Sequence, residues 1–351
     1  MRIDLYTRTV LFQIPRLSIQ QALVECPSIA INRSGHMSPI ASAHLGMLLC
    51  AAIVGASFPL VEQLSGDLPP LLATAIRFGV AAMAMLTIAP PIWRGGLPLR
   101  TLVLYAAMGL SLAGFFGAMF WAAGRTNALS MSAIYLSVPL IAYLLGRTFD
   151  VERPAPTLLA LLVLGAAGAL ALASARNDGG LRLGRSELVF AAGCAAFALY
   201  PVLSRWGLNK GWLPRSAAER TLGSLIGGAI LIGAAGVVVE SPAALRILST
   251  SDWLIVAYLG LVSSGLTFWL TQRATETLTP SVVTAYSYLT PFASLLLLLA
   301  REPSLVGWRW VPGSGLIIAA MVLLILLDMR SHTTPTDAQT PRLCLTTGEE
   351  R

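Results

Sequence analysis

The residues of this 351-residue chain that could do chemistry are prolines and hydroxyl-bearing rings set inside long apolar runs. Phe58-Pro59 and Tyr200-Pro201 sit at matching places in two such runs. A proline within a helix removes one backbone donor and crowds the carbonyl four residues earlier. In lipid that carbonyl is tolerated only against protein or in a wet cavity. Ser281, Thr284, Tyr288 and Pro291 fall at i, i+3, i+7 and i+10, one face of a regular helix, and Ser132, Tyr135 and Pro139 repeat the pattern at i, i+3 and i+7. Two polar stripes in an apolar setting predict facing walls of a binding cavity, with hydrogen bonding between helices as the alternative. Tyr286 and Ser287 fall off that face. The chemistry implied is recognition, not bond breaking.

Charge inside the apolar runs is confined to few residues. Arg77 lies about seven residues into its run, where a guanidinium costs about 2.5–3.5 kcal/mol on insertion scales and so needs protein, water or a partner. Glu62, near the end of the preceding run, is the acidic candidate; a substrate carboxylate is the alternative, and Arg220 beside Glu219 follows the same logic. Trp121 and Trp269 come late in their runs, as cavity walls or as members of an interfacial aromatic belt. No Asp or Glu is central to a run; Glu62, Glu187, Glu219 and Asp328 lie near ends, which argues against proton coupling through a central acid.

The elements that position these residues follow from composition. Hydrophobic residues make up 56% and charged residues 12%, about half the charge of an average soluble domain. The mean hydropathy is +0.73. Ten runs are each long enough to cross a bilayer as a helix: 44–64, 71–91, 100–123, 127–146, 156–175, 186–207, 217–239, 252–272, 279–300 and 308–329. The fold class is therefore all-α, a polytopic membrane protein. Tails 1–43 and 330–351 are expected to be disordered, with Met37 and Met47 as alternative starts to Met1. The net charge of +7 sits in loops and tails with no contiguous basic face, so no nucleic-acid partner is expected. Loop arginine and lysine are nearly balanced between the two sides, and the Arg-bearing tails place both termini in the cytoplasm. Cys26, Cys50, Cys194 and Cys344 form no Cys-x-x-Cys pair, and His36, His44 and His332 lie at or outside the edges of the apolar region, so no metal or other cofactor is expected.

The chain repeats itself. Cys50, Phe58 and Pro59 are echoed by Cys194, Tyr200 and Pro201; Pro69-Pro70 and Arg77 by Pro214 and Arg220; Phe120-Trp121 and Arg125 by Phe268-Trp269 and Arg273; Pro139 by Pro291; Glu152-Arg153-Pro154 by Glu302-Pro303. Five crossings per half is an odd number, so the second half enters the membrane from the opposite side. Two inverted five-helix repeats, 44–175 and 186–329, are a transporter architecture with its site near the midplane at the repeat interface.

With these landmarks the chain resembles the drug/metabolite transporter superfamily, in its branch with two tandem EamA domains. The resemblance implies a ten-helix inner-membrane carrier, often an exporter of amino acids, other small metabolites or toxic compounds, with its cavity walled by helices one, three, four, six, eight and nine. The expected substrate contacts are Phe58, Pro59, Arg77, Trp121, Tyr135, Pro139, Tyr200, Pro201, Trp269, Thr284, Tyr288 and Pro291. Partners are a small-molecule substrate and the bilayer, with monomer and homodimer both open. An intramembrane lipid-modifying enzyme would need a histidine pair, a serine with a base or paired aspartates within the runs, and none is there. A scaffold or sensor would need an output domain larger than either tail.

Overall fold

The computed structural model describes residues 38–61, 63–64, 68–88, 96–123, 125–126, 128–176, 184–301 and 307–333. Glu62, Glu302-Pro303 and the tails outside 38–333 fall outside the described residues, and for Phe58 and Pro59 only the helical backbone is described. Every described element is helical. They are α1 (Pro39–Val61), α2 (Pro70–Ile88), α3 (Leu99–Ala122), α4 (Ala128–Tyr135), α5 (Val138–Thr148), α6 (Pro156–Arg176), α7 (Arg185–Asn209), α8 (Ala217–Val239), α9 (Thr250–Tyr258), α10 (Thr267–Ala274), α11 (Pro280–Ala285), α12 (Leu289–Arg301) and α13 (Trp310–Thr333). A π-helical stretch, Leu259–Leu266, joins α9 to α10, and a 3-10 turn, Tyr286–Tyr288, joins α11 to α12. α1 opens five residues before the expected span and α13 runs four residues past it.

Helix starts follow local chemistry. Pro39, Pro70, Pro156 and Pro280 open α1, α2, α6 and α11, where a missing N–H costs nothing and the fixed φ fits the helix. Ser249 and Asp252 close a reciprocal capping box at α9. Other starts are capped from far along the chain. The Glu240 carboxylate accepts from the N–H groups of Leu71 and Leu72 at 2.8 and 2.9 Å, at the start of α2. Acidic residues at run ends thus satisfy first-turn donors that lipid cannot.

Nine of the described helical stretches are long and apolar enough to cross a membrane, counting 130–148 and 250–274 as single crossings. The remaining crossing, the ninth, at 280–301, is broken by its 3-10 turn. The break in the fourth, at Leu136–Ser137, has the same cause. Pro139 and Pro291 cannot continue the ladder and crowd the preceding turn.

The packing pattern is unchanged when the halves are exchanged. α2 lies on α8, α6 on α13 and α5 on α11; α1 meets the eighth and ninth crossings just as α7 meets the third and fourth. At one cross-half contact the backbones nearly touch: a Cβ on Gly109 of α3 would lie 2.5 Å from the Gly227 carbonyl carbon of α8. Large apolar side chains such as Val238 and Leu99 point outward, as a lipid-facing surface requires.

Candidate functional site

A small cavity lies between the halves. α1 contributes Met47, Cys50, Ala51 and Val54; the fourth crossing Tyr135; α7 Phe197, Tyr200 and Pro201; α10 Phe268 and Thr271; the ninth crossing Val283, Thr284, Tyr286, Ser287 and Thr290. Both halves build it.

Prolines explain why it is polar in places. Pro139, Pro201 and Pro291 each take the helical donor from the carbonyl four residues earlier, on Tyr135, Phe197 and Ser287 respectively. All three of those residues line the cavity. The Ser287 hydroxyl is also buried with no hydrogen-bond partner among the described residues. Other oxygens are engaged: Tyr200 shares a 3.1 Å hydrogen bond with Ser224, Thr271 donates to the Thr267 carbonyl at 2.8 Å, and Thr284 donates to the Pro280 carbonyl at 2.9 Å.

The walls are aromatic. Tyr135 and Phe197 stack obliquely on Phe115 with centroids 5.9 and 4.6 Å apart. Tyr200 meets Phe268 edge to face at 5.7 Å, and Phe268 meets Phe78 at 5.9 Å. Such contacts hold the rings rigid at the cavity face.

Of the residues expected from sequence, Tyr135, Tyr200, Pro201 and Thr284 line the cavity. Pro139 and Pro291 are not among the residues that line it. Tyr288 is buried with its ring over Gly165 of α6, where an added Cβ would come within 2.6 Å. Tyr286 and Ser287, off the stripe of a regular helix, are at the cavity because the 3-10 turn advances three residues per turn rather than 3.6. Trp121 is 43% exposed at the end of α3 with Arg125 over its ring at 4.8 Å, and half-buried Trp269 carries Arg273 in the same way at 5.7 Å. The repeated Trp-x-x-x-Arg is thus a pair of cation–π contacts at helix ends.

Sequence reasoning missed Met47, Cys50, Phe197 and Phe268. Their types carry no signal in an apolar run, and only the spacing of Phe197 from Pro201 marks it.

Arg77 lies apart from the cavity. Its Nη2 donates to Ser264 Oγ of the π-helical stretch at 2.9 Å, its guanidinium lies 5.7 Å from the centroid of Phe116, and its Nε has no partner among the described residues. Arg220 is fully buried and saturated. Nε donates to Gln272 Oε1 at 3.1 Å, Nη1 to the carbonyls of Pro214 and Arg215, and Nη2 to the Gln272 carbonyl and, at 2.8 Å, to Glu276. Its acidic partner is Glu276 on the far side of the eighth crossing, not the adjacent Glu219.

Glu152, between the fourth and fifth crossings, caps the start of the ninth. Asp150 takes a left-handed φ of 54°, and the turn sends the Val151 and Glu152 N–H groups back to the Gly146 carbonyl. The carboxylate then accepts from the Ser281 hydroxyl, from Thr279 Oγ1 at 3.0 Å and from the Ser281 N–H at 3.4 Å. Burial pushes this carboxyl up to about 7, against the pull of those donors.

A model of the EamA-like transporter family matches residues 41–174 and again residues 185–326, one match on each half. The chain belongs to the EamA-like transporter family. It is 27% identical over 265 residues to the protein called "Uncharacterized inner membrane transporter YedA" of Escherichia coli K12, covering 74% of this chain and 82% of that one. The same match is found to the YedA proteins of Escherichia coli O6:H1 and O157:H7. A solved crystal structure superposes with a TM-score of 0.67 at 22% identity, covering 84% of this chain and 99% of that one, a likeness of fold alone.

Proposed function

We propose that this EamA-family protein is a secondary carrier of the inner membrane that exports a small amphiphilic metabolite, amino-acid-like in size and polarity, by alternating access. The observation that carries the reading is the Ser287 hydroxyl, buried on the cavity wall and unpartnered among the described residues. A buried hydroxyl left unsatisfied costs about 1–3 kcal/mol, which a ligand hydrogen bond recovers. Rings of Tyr135, Phe197, Tyr200 and Phe268 suit an apolar body, and carbonyls four residues before the prolines, denied the regular helical donor, suit a hydrogen-bond donor such as an ammonium. The two halves, each of five crossings and thus oppositely oriented, rock about that cavity; the inner-membrane location follows the relative's, and export follows the family. Arg77, outside the cavity, serves the fold or a second conformation.

The test is Ser287→Ala, which removes one oxygen and leaves the fold unstrained. Cells bearing the wild-type chain are expected to resist toxic amino-acid analogues better than cells without it, and Ser287→Ala to lose that advantage at unchanged protein level and Tm. Full resistance from Ser287→Ala removes the cavity from the transport path.

A further inference from the structure

Three titratable side chains on three helices form one hydrogen-bonded chain that ends at the cavity. His44, buried in α1, has Nδ1 2.6 Å from the Tyr286 hydroxyl oxygen and Nε2 3.1 Å from Asp328 Oδ2, near the end of α13. Tyr286 is part of the cavity wall. The side chains of His44 and Asp328 are 4% and 15% exposed, so the chain grades from a partly open carboxylate to a closed ring to the cavity. Charge without an acid in the middle of a span is here supplied by a histidine and an acid from the ends of two others.

We propose that His44 is a proton-binding site of the transport cycle, with Asp328 as its counter-charge and Tyr286 as its link to the substrate; the inference deepens the carrier reading and rests on it. The chemistry lies in hydrogen-bond polarity. In the neutral ring that donates Nε2–H to the Asp328 carboxylate, Nδ1 is an acceptor and takes the Tyr286 O–H. Tyr286 then offers the cavity only an oxygen lone pair. When a proton binds Nδ1, both ring nitrogens donate, and Nδ1–H points at the Tyr286 oxygen. One N–H bond has formed as a hydronium ion gives up one O–H bond and leaves as water, and the phenol keeps its proton but is free to donate it into the cavity. Proton uptake therefore turns Tyr286 from acceptor to donor toward a bound molecule.

Asp328 is the acidic group hydrogen-bonded to the ring. Arg273, at the end of α10, donates to Ser42 at 3.2 Å two residues from His44, and Arg330 follows Asp328 on α13. Cys50 follows His44 along α1, Tyr288 follows Tyr286 along the ninth crossing, and Glu152 is held by Thr279 and Ser281.

Full-length protein with His36→Gln and His332→Gln, labelled with ¹⁵N-histidine and held in lipid nanodiscs, leaves His44 as its one imidazole signal. His44 is expected to titrate reversibly between about pH 5 and 8. Asp328→Asn is expected to weaken its proton affinity about tenfold or more, and Tyr286→Phe to shift the neutral ring toward the Nδ1–H tautomer. A ring that does not titrate in that range, or titrates identically in Asp328→Asn, overturns the proton site. In proteoliposomes holding a pH dye, with L-leucine and L-phenylalanine as probes, dye response on probe transport is expected from the wild type and not from His44→Gln. Probe transport with equal dye response from His44→Gln overturns the coupling and leaves the carrier reading intact. If no probe moves, the carrier reading for this substrate class falls, and the titration alone decides the proton site.

Discussion

Replacing Glu152 by Gln is expected to flatten the pH dependence of stability. The folded protein holds this carboxyl at about 7 because burial penalises the charge more than Ser281 and Thr279 stabilise it, against an ordinary value of 4.5. A carboxyl whose folded pKa lies above its unfolded one folds best protonated. Its stabilising contribution is therefore complete below about pH 4.5 and is lost as pH rises through 7. The interval from 4.5 to about 7, at 1.36 kcal/mol for each tenfold change in proton affinity, comes to about 3 kcal/mol. Most of it, about 2.5 kcal/mol, disappears between about pH 5 and pH 8. Gln keeps an acceptor for the Ser281 and Thr279 hydroxyls and cannot ionise. The assay is thermal unfolding of purified protein in detergent across that range. At about 2–4 °C per kcal/mol, the wild-type Tm is expected to fall by roughly 5–10 °C more than that of Glu152→Gln. Parallel profiles for the two proteins refute the argument that burial outweighs the three donors.

Gly109→Ala puts a Cβ 2.5–2.8 Å from backbone atoms of Gly227 and Gly228, which no rotamer change relieves; α3 and α8 part, at about 1–3 kcal/mol, read as a lower Tm with no new cavity contact. Arg220→Ala leaves Gln272 and Glu276 without their shared donor and is expected to cost about 3 kcal/mol or more; Lys at this position does not rescue it, having no fork to reach five acceptors, and Tm with expression level measures both. Arg77→Met is expected to raise Tm, because a guanidinium whose described partner is a neutral serine is removed from apolar surroundings, a relief bounded by about 2.5–3.5 kcal/mol. A fall of that size instead shows an acidic partner, for which Glu62 is the candidate.

The ten crossings are legible in the sequence because twenty apolar residues have few other uses, and their order follows from odd parity and matching landmarks. Their ends are less legible. α1 starts at Pro39 because a proline at the first helical position costs nothing, while hydropathy alone places the start at His44. That difference moves His44 from the edge of the membrane into a packed helix, and with it the meaning of a histidine and of Asp328 at the other end of the chain. The caps are illegible for a related reason. Glu240 serves Leu71 and Glu152 serves Ser281, partners more than a hundred residues apart, and an acid at the end of an apolar run reads the same whether it faces water or a buried helix start.

The cavity shows where a pattern carries information and where it does not. Pro139, Pro201 and Pro291 are visible in any reading, and each removes a donor whose lost partner lies four residues back. Following that offset leads to Tyr135, Phe197 and Ser287, all on the cavity wall. Following the regular helical face instead leads to Tyr288, which packs on Gly165. The carbonyl offset succeeds because it depends on covalent geometry close to the proline, whereas the face depends on every intervening residue keeping 3.6 per turn. The proline that denies the carbonyl its regular donor is also what tightens the turn before it, so a stripe drawn through such a site is least reliable at the turn itself. The breaks in the fourth and ninth crossings lie where α5 and α11 pack together. In the proposed carrier cycle, a rocking motion between the halves finds its weak points already cut beside the cavity.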